Sequence, residues 1–202
     1  MKRRDALKNL GLAAGFAITA PSIFSLLQSC TSAPTWMPTY FTNDEKEIVV
    51  NLVDIILPKT EGTPSATEVN VPQFIDKYIT EVLNLEDQEA IRVSFTDIIT
   101  TLKTTLKTTI ETDIRDITTA QYTTLLDVHL LVKGEIDEDR LAHPEALQPT
   151  KNEFLNQLKH LTITAYVTSE EIGENVLMYD PVPTAYYCGD LQEISGGKSS
   201  SL

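Results

Sequence analysis

The sequence has 202 residues, of which 42% are hydrophobic and 22% charged, a composition that is typical of one ordinary globular domain and excludes two large ones. Sixteen basic residues stand against 29 acidic ones, which gives a net charge of -13. Because such a chain repels phosphate backbones, the composition argues against nucleic-acid binding.

The N-terminus has the pattern of an export signal. A basic start is followed by a weakly apolar stretch, Leu10–Leu27, that contains a proline. Adjacent Arg3 and Arg4 match the core of a twin-arginine signal, although Ala6 stands where a phenylalanine is usual. A membrane-spanning or amphipathic first helix is the alternative. A stretch of barely ~20 residues with a proline inside favours a cleaved signal.

The signal ends in a sequence that resembles a bacterial lipobox. Residues 26–30 read LLQSC, with an aliphatic residue three positions before the cysteine and a small one directly before it. A lipid on Cys30 would hold the chain to a membrane, since each buried methylene contributes about 0.8 kcal/mol. The alternative is a buried free cysteine. We therefore predict a signal peptide over residues 1–29, a tether over 30–41, and an exported, lipid-anchored protein on the periplasmic or cell-envelope side.

Cysteine usage also bears on the fold. The only other cysteine is Cys188. If Cys30 carries a lipid, Cys188 has no partner within the chain, so no disulfide is expected to support the structure.

The remainder of the chain predicts an all-α fold, namely a single-domain irregular bundle of about five helices with long proline-containing loops. Apolar residues recur at helical spacing, Thr42 or Asn43 is a candidate N-cap, and Thr118 begins a capping-box pattern. The expected helices run from Thr42 or Asn43 to Pro58, from Phe74 to Val82, between Asp87 and Ile114, from Thr118 to Val132, and from about Thr150 to Thr168. The domain is expected to span residues 42–190, with a flexible tail over 191–202.

Two features qualify this helical pattern. The third helix carries paired threonines on one face, and threonine disfavours helix by up to ~0.7 kcal/mol relative to alanine, so packing is expected to hold that helix together. Residues 134–149 are charged and contain prolines, which predicts mostly loop. The chain is expected to become irregular after Gly173 and to fray over residues 195–202.

No residue pattern indicates catalysis. The sequence has no HExxH, CxxC or CxxCH spacing, no glycine-rich nucleotide-binding turn after a strand and no GxSxG elbow. The acidic run over residues 135–140 lacks the glycine and the final glutamate of an EF-hand loop, which favours a solvated loop over a calcium site. We therefore predict no catalytic, metal-binding or cofactor-binding residue in this chain.

Two stretches resemble the gluconate 2-dehydrogenase subunit 3 family. The opening one contains VDIILPKT over residues 53–60, TPSA over 63–66 and VPQFID over 71–76. The closing one begins near Phe154 and ends in YDPVP over residues 179–183. The likeness brackets nearly all of the chain from residue 41 to residue 190.

The chain departs from the family pattern at three positions. Ser65 and Thr184 stand where a glycine is usual after proline, and Ala165 replaces a glycine before a tyrosine. Loss of a glycine changes a loop where the backbone needs a positive φ. The turns around residues 62–66 and 181–186 are therefore expected to differ most from the family.

The resemblance implies a non-catalytic small subunit of a membrane-associated sugar or polyol dehydrogenase. In such a complex the large subunit is a flavoprotein that binds FAD, and a multihaem cytochrome c, holding haem c, is a further component. Because the twin-arginine route carries folded proteins, a signal-bearing small subunit is expected to escort a flavoprotein that has no signal of its own.

Two proline-containing loops are the expected contacts with the flavoprotein, since rigid extended segments with aromatic side chains lose little entropy on binding. The interface candidates are Pro58, Pro64, Phe74, Tyr179, Asp180, Pro181, Pro183 and Tyr186. The alternative is that these loops only cover the helical core.

Two other functions are compatible with the sequence. The chain could be a free-standing acidic lipoprotein that acts as an interaction or structural module. An acidic pocket that hydrolyses a sugar is the third possibility, although a sequence cannot show two carboxylates ~5–10 Å apart.

Overall fold

A computed structural model describes residues 36–105, 113–132, 134–180 and 188–201. The twin-arginine pair, Cys30 and the candidates Pro181, Pro183 and Tyr186 lie outside these residues. The compact unit described below is Pro38–Leu202.

The predicted all-α class is confirmed. Within the described ranges no strand forms, and β pairing is limited to two isolated bridges. The α-helices are α1 (Asn43–Ile56), α2 (Val71–Val82), α3 (Leu85–Thr105), α4 (Thr119–His129), α5 (Glu138–Ala142), α6 (Lys151–Val167) and α7 (Leu191–Ser195), with a 3₁₀ turn at Ile114–Asp116 and a π-helical turn at Ile172–Val176. The longer helices α1 to α4 and α6 correspond to the expected five.

Helix starts follow local capping chemistry. Thr42 caps α1: its hydroxyl accepts the Glu45 amide hydrogen at 3.3 Å, and the Glu45 carboxylate accepts the Thr42 amide hydrogen at 2.7 Å. The same reciprocal pair, Thr150 with Glu153, starts α6. Each such cap is worth about 1 kcal/mol because it satisfies amides that no helical carbonyl can reach.

Helices α1 and α6 form the centre of the molecule. Helix α1 packs against α2, α4 and α6, and α6 also packs against α2, α3 and α4. Full burial of one such aliphatic or phenylalanine side chain contributes about 1.5–3 kcal/mol. The core includes Ile48, Val49, Leu52 and Val53 of α1, Ile75 and Ile79 of α2, Phe95, Ile98 and Leu102 of α3, Leu125 and Leu126 of α4, and Phe154, Leu155 and Leu158 of α6.

The folded body begins before α1. The buried Asp76 carboxylate on α2 accepts amide hydrogens from Thr39 at 2.7 Å, Tyr40 at 2.9 Å and Phe41 at 3.1 Å. Phe41 is itself buried and meets Phe95 edge to face at 5.5 Å. Residues 39–41 are therefore part of the packed body rather than of the tether expected over 30–41.

The loop between α1 and α2 is ordered by its own hydrogen bonds. Asp54 accepts the Thr67 amide hydrogen at 2.8 Å, and the Ala66 amide donates to the Leu57 carbonyl at 3.1 Å. Gly62 has φ +87°, so glycine is needed there. Among the described non-glycine residues only Asn70 has a positive φ, so Ser65 occupies its position without the strain that a missing glycine can cause.

The threonine hydroxyls of the third helix find their hydrogen-bond partners within the same helix. The hydroxyls of Thr100, Thr101 and Thr104 donate to carbonyls four residues earlier at 2.8–2.9 Å. The opposite face buries Phe95, Ile98 and Leu102, as the apolar stripe predicts. The end of the expected helix, residues 106–114, lies largely outside the described part of the chain.

The stretch from Gly134 to Pro149 is mostly loop, as expected, but it contains the short helix α5. Asp137 caps this helix by accepting the Arg140 amide hydrogen at 3.2 Å. After Gly173 the chain is also more regular than expected, because a π-helical turn covers Ile172–Val176.

The C-terminal segment likewise differs from the expected flexible tail. Helix α7 covers Leu191–Ser195, and Met178 forms a parallel bridge with Ser200. The Met178 amide donates to the Ser199 carbonyl at 2.9 Å, and the Ser201 amide donates to the Met178 carbonyl at 2.9 Å. In the part of the chain that the structure covers, no helix is long and apolar enough to span a bilayer.

Candidate partner-binding surface

An apolar groove of about 700 Å³ opens between α2, α3 and α6. We call it the groove, and its size is that of sites that hold a ligand or a set of partner side chains. Its main lining residues are Phe74, Tyr78 and Leu83 from α2 and its end, Ala90 and Ile91 from α3, Leu147 and Pro149 from the loop before α6, and Gln157, Leu161 and Thr164 from α6.

Aromatic and aliphatic side chains reach solvent at the groove. Phe74 is 43% exposed and stacks on Tyr78, with ring centroids 6.2 Å apart. Leu147 is 94% exposed, although it lines an apolar surface. Contiguous exposed apolar residues of this kind mark interaction sites more often than scattered single ones.

The groove carries little positive charge. Besides Tyr78, its ionisable lining residues are Asp87 and His160, and no lysine or arginine is among the described residues that line it. Asp87 is exposed in the first turn of α3. The surface is therefore apolar with an acidic edge.

A second concavity, of about 760 Å³, lies beside the loop between α1 and α2. Its lining is polar and includes Lys59, Glu68 and Glu171. Lys59 donates to Glu68 at 2.6 Å, and this hydrogen bond lowers the pKa of the Glu68 carboxyl. Solvated polar walls provide less apolar area to a protein partner than the groove does.

The structure separates the described interface candidates. Phe74 lines the groove, whereas Pro64 lines the polar concavity and is half-buried. The Pro64 carbonyl accepts the Tyr166 hydroxyl hydrogen at 2.6 Å, which fixes this loop to α6. Pro58 is exposed before that loop.

The other described candidates are in the closing segment. Tyr179 is 49% exposed and Asp180 is exposed, directly after the bridge at Met178. Neither residue lines the groove or the polar concavity.

Sequence reasoning missed most of the groove. Tyr78, Ile91 and Leu161 belong to the apolar stripes of their helices, a position that favours burial, yet each is only half-buried. The available signal was the width of the stripe on α2, since Phe74 and Tyr78 lie beside the buried pair Ile75 and Ile79. An apolar stripe this wide is broader than the surface that a single neighbouring helix can bury.

Buried carboxylates of the described chain serve the fold. Asp76 holds residues 39–41, as described above. Glu45 is 3% exposed and accepts the Arg92 guanidinium hydrogen at 2.5 Å. Arg92 also donates to the Tyr40 carbonyl at 3.0 Å and lies 4.2 Å above the Tyr40 ring. Both carboxylates thus have hydrogen-bond partners within their own chain, and Glu45 also has a cationic partner in Arg92.

The histidine and acidic clusters show no convergence on a metal. Among residues 36–105, 113–132, 134–180 and 188–201, no three His, Cys, Asp or Glu side chains come together in a way that could hold an ion. The pKa of His129 is lowered, chiefly by burial and also by nearby Lys151.

The chain matches a known protein family. The gluconate 2-dehydrogenase subunit 3 family matches residues 43–183, which contain α1 to α6 and the π-helical turn. No curated protein and no solved structure matches the chain. The match covers well over half of the sequence, so the chain belongs to the gluconate 2-dehydrogenase subunit 3 family.

Proposed function

We propose that this protein is the non-catalytic small subunit of a membrane-associated, FAD-dependent sugar or polyol dehydrogenase of the gluconate 2-dehydrogenase type. It binds the flavoprotein subunit, assists its twin-arginine export and holds it at the membrane through a lipid on Cys30. The observation that carries the proposal is the family match over residues 43–183.

The geometry of the described body supports an accessory role. Its buried carboxylates, Glu45 and Asp76, are engaged in hydrogen bonds within the chain, while the groove presents Phe74 and Leu147 to solvent. A body of this kind offers a rigid surface for a partner. FAD and haem c are then cofactors of the partner subunits, a flavoprotein and a multihaem cytochrome c.

The N-terminal sequence supports the export role. Arg3 and Arg4 provide the twin-arginine core, and Cys30 follows the apolar stretch at the lipobox position. A flavoprotein must take up FAD before it leaves the cytoplasm, and the twin-arginine route transports folded proteins. A bound subunit that carries the signal therefore directs the export of both chains.

Co-expression with the flavoprotein subunit tests this escort role. The double substitution Arg3→Lys and Arg4→Lys retains the positive charge and removes the twin-arginine pair. We expect the flavoprotein to remain in the cytoplasm with its FAD bound, as measured by flavin fluorescence in separated cell fractions. Lys8→Arg is the matched control and leaves export unchanged. Equal export with the double variant would show that the flavoprotein does not depend on this signal.

A further inference from the structure

Three helices of the described chain line the groove. Helix α2 contributes Phe74 and Tyr78, α3 contributes Ile91, and α6 contributes Leu161. A helix placed between such walls buries apolar residues at i, i+3, i+4 and i+7, the mode by which grooves recognise amphipathic segments. Apolar walls from three helices therefore favour a helical segment as the occupant of the groove.

Leu147 is presented at the edge of the groove by a fixed scaffold. The Arg140 guanidinium donates to the Ala146 carbonyl at 2.7 Å and to the Gln148 carbonyl at 3.1 Å, on either side of Leu147. The same guanidinium is paired with Glu153 at the start of α6. Because both flanking carbonyls are held, Leu147 stays exposed without the conformational freedom of an ordinary loop residue, which lowers the entropy lost on binding.

The acidic residues near the groove indicate which kind of segment binds there. The edge of the groove carries Asp87, and exposed Glu145 lies two residues before Leu147. The whole chain has a net charge of -13, so a second copy of it brings like charge to this edge. A segment with basic residues beside its apolar face is complementary to the same edge.

We propose that the groove is the seat of the flavoprotein subunit, which inserts an amphipathic helical segment with basic flanks. Phe74 and Leu147 are the main apolar contacts, Asp87 faces the basic flank, and Arg140 is a positioning residue that acts through Leu147. This assignment rests on the proposed function and gives it a defined surface.

Binding of the purified flavoprotein subunit to variants of the full-length protein tests the assignment. Phe74→Ala and Leu147→Ala should each weaken binding at least roughly tenfold, as expected for the main apolar contacts. Leu147 is 94% exposed, so its truncation leaves the fold intact even if Phe74→Ala disturbs it. The matched control is Leu191→Ala, 64% exposed and outside the groove, which should change the affinity by less than about threefold.

Two further measurements address the positioning and charge parts of the proposal. Arg140→Lys should weaken binding as Leu147→Ala does. The double variant Arg140→Lys/Leu147→Ala should bind the flavoprotein no more weakly than Leu147→Ala alone, because Arg140 acts through Leu147. Asp87→Asn should lower the association rate, and the difference from wild type should vanish as salt is raised from about 0.05 to about 0.5 M.

The outcomes separate this inference from the proposed function. If the wild type binds the flavoprotein and Leu147→Ala and Phe74→Ala bind equally well, the groove assignment is wrong and the proposed function stands. Loss of binding in Tyr179→Ala alone would place the contact in the closing segment and also overturn it. Self-association that Leu147→Ala abolishes would assign the groove to a second copy. If the wild type does not bind any flavoprotein subunit, the proposed function itself fails.

Discussion

Single buried polar groups fix where the folded body starts. Asp76 is 1% exposed, and its carboxylate accepts three successive backbone amides. Hydrogen bonds to a charged acceptor contribute about 1.5–3 kcal/mol each, more than those between neutral groups. If the chain is tethered through Cys30, a force along the tether therefore acts on these hydrogen bonds before it acts on α1.

Tyr122 is the contrasting residue. Its side chain is completely buried, and its hydroxyl has no hydrogen-bond partner among the described residues. Burial, with smaller effects of Glu47 and Asp44, raises the pKa of Tyr122 to about 12. A buried hydroxyl without a partner lowers the free energy of unfolding.

We predict that Tyr122→Phe keeps the free energy of unfolding unchanged or raises it by up to about 1 kcal/mol. In wild type the unfolded tyrosine ionises near its ordinary pKa of 10 and the folded one only near 12, so stability falls as pH rises across this range, by at most about 1.4 kcal/mol per pH unit. The free energy of unfolding of Tyr122→Phe, measured by urea titration at these pH values, should fall less steeply with pH than that of the wild type.

Tyr40 provides the internal reference for this comparison. Its pKa is also raised to about 12, chiefly by burial, and it is present in both proteins. The difference between the two pH profiles therefore reports Tyr122 alone. A loss of more than about 1 kcal/mol at neutral pH would mean that the hydroxyl has a partner.

At the scale of elements, one arginine organises the segment between α4 and α6. Arg140 connects α5, the carbonyls on either side of Leu147 and the Glu153 carboxylate. Thr150, which caps α6, also donates to Asp137 at 2.6 Å. A charged, proline-containing stretch is thereby held in one conformation.

We predict that Arg140→Lys increases amide hydrogen exchange over α5 and over residues 146–148, because lysine cannot form the bidentate pair and the two carbonyl contacts together. Exchange in α1 and α2 should not change. The hydrogen bond from Arg140 lowers the pKa of Glu153, so this pairing is present at neutral pH and is lost as pH falls through that lowered pKa. The difference between variant and wild type should therefore shrink in acid.

Arg115→Lys is the control, since Arg115 pairs with Asp113 only two residues away and is exposed. Its exchange profile should match that of the wild type outside the 3₁₀ turn. Unchanged exchange around Leu147 in Arg140→Lys would mean that the loop is held by other contacts.

These elements show what the sequence could and could not predict. The caps at Thr42 and Thr118 are local patterns, so the starts of α1 and α4 were predictable. The contact from Arg140 in α5 to Glu153 in α6 spans thirteen residues and a loop, a separation that no periodicity reveals. The groove escaped prediction because an apolar stripe shows that a face is covered, not whether a neighbour of the same chain covers it.

At the scale of the whole molecule, the acidic body and the cysteines separate anchoring from docking. Cys188 is exposed and forms no disulfide with any described residue, and Cys30 is the proposed lipidation site. Since Cys30 is not among the residues proposed to contact the flavoprotein, substitution of its thiol should remove the proposed anchor and retain binding.

We predict that Cys30→Ser releases the protein, together with its bound flavoprotein, from the membrane fraction into the soluble envelope fraction. Acyl chains provide the attachment in this account, and serine cannot carry the thioether lipid. Cys188→Ser is the matched control and should remain with the membrane. Retention of Cys30→Ser on the membrane would point to a different attachment.

We infer that the chain provides a surface to a redox partner and performs no electron chemistry itself. The most direct test is dye-linked sugar oxidation, measured with the purified full-length protein alone and with its complex with the flavoprotein subunit. We expect turnover and a flavin absorbance spectrum from the complex. The isolated chain should show no turnover and no flavin spectrum. Sugar oxidation or a bound prosthetic group in the isolated chain would contradict this inference.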